Sequence, residues 1–194
     1  ARKACADRLG KAVTAELAGL GMAQGELRIA VEPKPEERHD ATGLDRVELQ
    51  VRLNPGQVFG PLARVASGGE LSRISLALEA VAAGASLVPT FVFDEVDAGI
   101  GGGVAEIVGR KLAGLAAARQ VLCVTHLAQI ASQGSRHYRV AKESDGKTTR
   151  TVVRRLDPDQ RVEELSRMLG GLEITELARA HAEEMIDRAG KART

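Results

Sequence analysis

Two adjacent carboxylates follow an apolar run in the middle of the chain. Residues 90–93 read Thr-Phe-Val-Phe, and Asp94 and Glu95 come directly after them. An unpaired charge at the end of a buried strand is unfavourable unless the group has a role to perform. Asp94 suits Mg²⁺, which prefers oxygen ligands and keeps several waters, and Glu95 suits a general base that orients an attacking water. The alternative is a surface pair of acids that caps the next loop.

A second candidate for chemistry is the sequence Ser-Gly-Gly-Glu at the start of a helical pattern. Ser67 and Glu70 predict a capping box, in which the two side chains bind backbone N–H groups reciprocally. Gly68 and Gly69 are not needed for a cap, but they would let an anion approach the free N–H groups of the helix start. The motif therefore predicts a cap and is also consistent with a phosphate site.

Asp97 and His126 complete the set of candidate residues. Asp97 lies in a glycine-rich loop, where it could contact a neighbouring subunit or position Glu95. His126 follows a second apolar run, residues 121–125, and a lone histidine is more often structural than catalytic. If the two apolar runs are neighbouring strands, His126 lies beside the paired acids and gains a functional interpretation.

Periodicity predicts the elements that would position these residues. Polar and apolar residues alternate in two early segments, which favours half-buried strands over residues 26–32 and 46–53. Later, short apolar runs alternate with helical patterns, which predicts an α/β fold with a mainly parallel sheet and with chemistry at the carboxyl ends of its strands. We expect a β-hairpin near residues 137–155. Helical spacing predicts helices over residues 2–20, 70–83, 103–117, 159–169 and 173–189.

Residues 141–148 match a loose form of the phosphate-binding loop, with Ala141 in place of the first glycine. A working loop leads from a strand into a helix, whereas the β-branched run over residues 148–154 predicts a strand. Asp145 and Gly146 are typical of a hairpin turn. We therefore interpret the match as accidental.

Composition limits the function classes without selecting one. The chain has 27 Lys and Arg against 26 Asp and Glu, so its net charge neither requires nor excludes nucleic acid. Its aromatic residues are three Phe and one Tyr, which argues against base stacking as the main contact with DNA. The two cysteines show no metal-ligand spacing, and apolar runs are too short for a membrane span. A cytoplasmic protein is the simplest expectation.

The order of these motifs resembles the C-terminal lobe of an ABC-type ATPase head, a P-loop NTPase fold. The sequence is most similar to the SMC-like ATPases of bacterial DNA repair, over residues 65–79, 93–102, 120–129 and 163–171. The resemblance implies that Ser67, Gly68 and Gly69 bind the γ-phosphate of an ATP held by the opposite head. Glu70, in place of the glutamine of transporters, fits the repair branch.

The same resemblance implies roles for the remaining candidates. Asp94 would be the Walker B aspartate that holds Mg²⁺, and Glu95 the catalytic glutamate. Asp97 would be the aspartate of the D-loop, which works across the dimer. His126 would be the switch histidine that senses the γ-phosphate.

The resemblance further implies that the Walker A lysine belongs to a separate N-terminal half of the head. Residues 1–20 would form a helix at the root of a coiled-coil arm, and residues 21–194 the C-terminal half of the head. We expect ATP-dependent homodimerisation through the heads, sequence-independent DNA contact in double-strand-break repair at the bacterial nucleoid, and no membrane. The chain alone should be inactive. The alternatives are a nucleotide-binding subunit of a membrane transporter and a non-catalytic DNA-binding platform.

Overall fold

A computed structural model describes residues 1–82, 87–144, 146, 148–170 and 174–192. The chain divides into two compact units, Ala1–Val124 and Thr125–Thr194. In chain order the elements are α1 (Arg2–Gly19), β1 (Glu26–Pro33), a 3-10 turn (Glu36–Arg38), β2 (Asp45–Arg52), β3 (Gly60–Pro61), α2 (Leu62–Val65), α3 (Gly68–Val81), β4 (Thr90–Phe93), α4 (Gly102–Leu115), β5 (Gln120–Cys123), α5 (Ala128–Ala131), β6 (Tyr138–Ser144), β7 (Thr149–Arg155), α6 (Pro158–Gly170) and α7 (Glu176–Lys191). Of the residues in predicted elements, 83, 145, 147 and 173 lie outside the described residues.

In the first unit α1 packs against β1 through a stripe of small and apolar residues. Val13 and Leu17 are buried on this stripe, as their helical spacing predicts. Gly10 lies on the same stripe, where a Cβ would come within 3.1 Å of the Leu27 carbonyl oxygen. The helix therefore approaches the strand more closely than a larger residue would allow. The helix is confirmed, and its place at the root of a coiled-coil arm stays a prediction.

The strands β1, β2 and β3 form an antiparallel sheet, and the first two pair along their full length. Leu27 and Val51 are opposite each other and buried, so the alternating pattern of the sequence is confirmed as half-buried strands. The guanidinium groups of Arg28 and Arg52 both contact the Phe59 ring, at 4.4 and 4.9 Å from its centroid.

The two apolar runs of the sequence pair as parallel strands, β4 with β5, connected through α4. The Val124 N–H donates to the Phe93 carbonyl oxygen at 2.9 Å and extends the pairing beyond the strand ends. The predicted parallel pairing is confirmed here, and the other sheets of the described residues are antiparallel. However, β4 is buried on one side only, because Phe93 is 5% exposed and Val92 is 68% exposed.

The helix α3 is confirmed, but its buried face differs from the predicted one. The sequence predicts a single face of Leu71, Ile74, Ser75, Leu78 and Ala82. The structure buries Gly69, Arg73, Ile74, Leu76 and Ala77. Leucines occur on more than one face of this helix, so periodicity alone cannot select the buried face. The contact of Gly69 with the loop after β4 selects it instead.

In the second unit, β6 and β7 form an antiparallel hairpin that pairs from Tyr138↔Arg155 to Ser144↔Thr149. The predicted hairpin is therefore confirmed, and residues 141–148 do not lead into a helix. The helices α6 and α7 pack together around Leu165 and Ala182.

The pKa of His137, in the second unit, is lowered chiefly by burial and further by the nearby Arg161 cation, while Glu164 opposes the shift. Its Nδ1 atom is buried without a hydrogen-bond partner in the described residues. The unfolded chain therefore binds this proton more tightly than the folded one. The contribution of neutral His137 to the stability of the folded state is complete above 6.5, the ordinary pKa of histidine. It is lost as the pH falls towards the lowered pKa of the folded state.

We predict that the free energy of unfolding falls between about pH 7.5 and about pH 5.5, and that His137→Asn reduces this fall. Urea denaturation at the two pH values measures the effect. The matched control is His181→Asn, at an exposed position of α7, which should retain the fall of the unchanged chain. An equal fall in the chain with and without His137 would contradict the prediction.

Candidate functional site

The start of α3 is closed by the predicted capping box. The Ser67 N–H and hydroxyl group donate to the Glu70 carboxylate at 2.8 and 2.7 Å, and the Glu70 N–H donates to Ser67 Oγ at 3.4 Å. The bond from the Ser67 backbone N–H is the largest cause that lowers the pKa of Glu70. Glu70 is therefore a carboxylate at neutral pH, held at the positive end of the helix.

Both glycines of the motif lie against the loop that follows β4. A Cβ on Gly68 would overlap Glu95 Oε2. A Cβ on Gly69 would lie 2.7 Å from the Ala98 Cβ and 3.0 Å from the Glu95 carbonyl oxygen. The sequence suggests glycines here for the approach of an anion, and the structure adds a requirement inside the chain itself.

The paired acids belong to a short segment, residues 94–98, which we call the acidic loop. Asp94 Oδ1 accepts a hydrogen bond from the Glu95 N–H at 2.9 Å. Glu95 has a φ of 57°, and among the described residues it is the only residue other than glycine with a positive φ. This left-handed conformation is uncommon for a residue with a Cβ, so surrounding contacts must hold it.

The three acids of the loop differ in exposure. Asp94 and Glu95 are exposed, whereas Asp97 is 4% exposed. The two roles that the sequence leaves for Asp97, contact with a neighbouring subunit or positioning of Glu95, stay predictions. Asp97 and Asp94 also add to the effect of burial in raising the pKa of the nearby Cys123 thiol to about 12, so that this thiol stays protonated.

Two residues that the sequence analysis did not single out connect α3 to the acidic loop. The Ser72 hydroxyl donates to the Asp94 carbonyl oxygen at 2.6 Å. Arg73 Nη1 donates to the carbonyl oxygens of Ala98 and Val96, at 2.7 and 3.4 Å. No local signal in the sequence points to Arg73, because its partners are carbonyl groups more than twenty residues later in the chain.

His126 belongs to the second unit and the paired acids to the first. The strands that precede them are neighbours, as the sequence analysis requires for a shared function. The role of His126 at the site stays a prediction.

The donor set fits Mg²⁺ only in part. Among the described residues, no three His, Cys, Asp or Glu side chains converge on one point. Asp94 is exposed and could give one carboxylate oxygen to the ion, because one oxygen already accepts the Glu95 N–H. Mg²⁺ commonly takes one or two carboxylates and completes its shell with water and substrate phosphates. The residues therefore fit an ion bound together with a nucleotide.

In the second unit a polar groove of about 570 Å³ lies between the hairpin and α6. Of the described residues, four arginines and three glutamates line this groove, and two of the glutamates form ion pairs. Glu143 pairs with Arg150 and Arg154, and Glu164 pairs with Arg139 and Arg167.

No helix in the part of the chain that the structure describes is both long and apolar enough for a membrane span.

The chain is similar to several curated bacterial proteins named DNA repair protein RecN. It is 47% identical over 199 residues to that of Streptomyces coelicolor, with 97% of this chain and 35% of the relative covered. For Xylella fastidiosa strain 9a5c the identity is 48% over 167 residues, covering 86% and 30%. For Deinococcus radiodurans it is 46% over 186 residues, covering 96% and 32%. No family profile matches the chain.

Solved structures share the fold at low identity. A chain solved in work on the ATP-driven dimerization and DNA-stimulated activation of SMC ATPases aligns with a TM-score of 0.50 at 16% identity, covering 85% of this chain and 93% of that one. The Smc head domain with a coiled coil and joint from Pyrococcus yayanosii gives a TM-score of 0.57 at 21% identity, covering 81% and 28%. The chain thus has the fold of an SMC head. It matches about a third of the length of the bacterial proteins named DNA repair protein RecN, at 46–48% identity.

Proposed function

We propose that this chain is half of an ATP-hydrolysing SMC-like head, which dimerises on ATP and acts in DNA double-strand-break repair. One observation carries the proposal: the start of α3, free of side chains at Gly68 and Gly69, packs directly on the loop of Asp94 and Glu95. The helix start proposed to bind phosphate and the loop that carries the two carboxylates are therefore held against each other. The relatives named as DNA repair proteins support a role in DNA repair, and we propose that the protein acts in the cytoplasm at the nucleoid.

The residues of the chain would divide the work between two sites of a head dimer. Ser67 and the N–H groups of Gly68 and Gly69 would bind the γ-phosphate of an ATP held by the opposite head. Asp94 would hold Mg²⁺, which neutralises charge on the phosphates. Glu95 would orient the attacking water, so that catalysis is positioning plus electrostatic stabilisation.

His126 and Asp97 would take supporting roles. His126 would sense the γ-phosphate as the switch histidine. Asp97 would act as the D-loop aspartate, and its burial supports a role in holding the acidic loop.

The exposed face of β4 and β5 supports an N-terminal half of the same protein as the first partner. This face consists of Val92, Leu122 and Val124, which are 68%, 47% and 60% exposed. Parallel sheets are covered on both faces in folded proteins. The chain spans about a third of the length of its curated relatives, so the remaining length could supply the cover and the Walker A lysine.

We predict that Val92→Ser and Leu122→Ser each weaken binding of this chain to the N-terminal half by about tenfold, because each removes an apolar side chain from the interface. Titration of one half with the other measures the dissociation constant. Val58→Ser is the control, since Val58 is 87% exposed in a loop. Unchanged binding in both sheet variants would remove this face from the interface.

We predict that Glu95→Gln in the full-length protein lowers ATP turnover by about a hundredfold or more and prolongs the ATP-bound dimer. The loss of the base stops hydrolysis while phosphate binding at α3 persists. Turnover and the light-scattering mass with ATP are the two measurements.

The matched control for this experiment is Glu106→Gln, the same chemical change on α4, where Glu106 pairs with Arg110. It should leave both quantities unchanged. A Glu95→Gln protein that turns over ATP at the normal rate, or stays monomeric with ATP, would refute the assignment.

We also propose that the protein contacts DNA independently of its sequence, and the charge of the hairpin supports this. The described hairpin region carries many cations and the single carboxylate Glu143; the cations are Arg136, Arg139, Lys142, Arg150, Arg154 and Arg155. Lys142 and Arg155 are exposed and lie on the hairpin face opposite Glu143, because side chains alternate along a strand. These two cations are therefore the best placed for DNA phosphates.

We predict that Lys142→Gln together with Arg155→Gln weakens DNA binding by the full-length protein and reduces the slope of log affinity against log salt by about two. Filter binding over a salt series measures the slope. Arg188→Gln, at a position already paired with Glu184 on α7, is the control. An unchanged slope would exclude the hairpin as the DNA surface.

A further inference from the structure

We propose that Ser72 and Arg73 are positioning residues, which fix the acidic loop to α3 so that phosphate contact at one ATP site and the carboxylates of the other site move together. This inference rests on the proposed function. It assigns a role to two residues that touch neither the nucleotide nor the reacting atoms.

Arg73 is buried among main-chain atoms. Its residue is 5% exposed, and its Nη1 donates to the Ala98 carbonyl oxygen at 2.7 Å and the Val96 carbonyl oxygen at 3.4 Å. Burial lowers the pKa of this guanidinium, and Nε is buried without a hydrogen-bond partner in the described residues. An apolar residue of similar volume would avoid this cost. The arginine is therefore better explained by the carbonyl groups it holds than by stability.

Ser72 holds the other end of the same loop. Its hydroxyl group donates to the Asp94 carbonyl oxygen at 2.6 Å. Because Ser72 and Arg73 are consecutive in a helix, the two ends of the acidic loop are tied to one rigid segment. The loop cannot shift relative to α3 unless at least one of these hydrogen bonds breaks.

The hydrogen bonds of Ser72 and Arg73 to the loop, which we call the two ties, enclose a segment that contains the left-handed residue of the loop. Glu95, with a φ of 57°, lies between the Asp94 carbonyl group and the carbonyl groups of Val96 and Ala98. Such a conformation persists where neighbouring contacts over-determine it. Loss of either tie would let the backbone relax and move the Glu95 carboxylate.

The first turn of α3 touches the same loop directly. Gly68 faces Glu95 Oε2, and Gly69 faces Ala98 and the Glu95 carbonyl group. In the proposed dimer this turn would receive the phosphate of one site while Glu95 serves the other. A shift of α3 on phosphate contact would therefore be transmitted to the second site through the ties of Ser72 and Arg73.

The test measures ATP turnover by the full-length protein with Ser72→Ala, Arg73→Gln or Arg73→Lys. We expect Ser72→Ala and Arg73→Gln to lower kcat by about tenfold, to change KM for ATP by less than about threefold, and to reduce the Hill coefficient towards one. Arg73→Lys, which keeps a cationic donor, should recover part of kcat. The ATP-dependent dimer should still form, because the phosphate seat is intact.

The control is Arg119→Gln, which alters another arginine of the first unit, one that pairs with Glu79 and stacks on Phe91 away from the loop. It should lower the melting temperature without lowering kcat per folded molecule. If Arg73→Gln behaves like Arg119→Gln, the role is structural and the inference is wrong. If Arg73→Gln does not fold, Ser72→Ala decides, since an unchanged kcat and Hill coefficient there would overturn the inference.

Failure of the proposed function has a different signature. An unmodified protein that shows no ATP turnover, or in which Glu95→Gln has no effect, would remove the ATPase itself. If the unmodified protein hydrolyses ATP and the Ser72 and Arg73 variants keep its kcat and Hill coefficient, only the proposed coupling between the two ATP sites would be excluded.

Discussion

The contact between the start of α3 and the acidic loop is the constraint on which the rest of the site depends. Gly69 admits Ala98 and the Glu95 carbonyl oxygen to a distance at which a Cβ would clash, and Gly68 leaves room for the Glu95 carboxylate. A helix end and a strand end, which could lie far apart in an α/β fold, are thereby brought onto one surface. Substitution of Gly69 would push the helix and the loop apart, because its neighbours are the Ala98 Cβ and backbone oxygens, whereas a side chain at position 68 would displace only the Glu95 carboxylate.

The same contact explains how charge is arranged around the site. Glu70 is turned back onto Ser67 by the capping box, and Asp97 is buried, so neither carboxylate competes with Asp94 and Glu95 for the solvent-exposed edge. The strand β4 delivers this pair while one of its faces remains apolar and exposed. The site is therefore open on two sides, which accords with a half-head that is completed by other parts of its protein and by a second head.

Local signals in the sequence predicted the features that depend on local structure. Ser67 and Glu70 predicted the capping box, the two apolar runs predicted the pairing of β4 with β5, and Asp145-Gly146 predicted the hairpin. The buried face of α3 was predicted wrongly, since leucines surround the helix and a tertiary contact chooses among them. Arg73 was missed for the same reason, because its partners are carbonyl groups more than twenty residues later in the chain. The exposure of Val92 was not predicted, because an apolar residue in a short strand of a parallel pair is expected to be buried.

The most direct test of a site shared between two heads is complementation in the full-length protein. Ser67→Arg and Glu95→Gln proteins are each expected to be inactive alone. In a mixed dimer, Glu95 of the first would face Ser67 of the second and rebuild one site of the two. Random pairing then predicts about a quarter of the normal ATPase rate from an equimolar mixture. A mixture no more active than its components would contradict a site built across the dimer and would place Ser67 and Glu95 in separate functions.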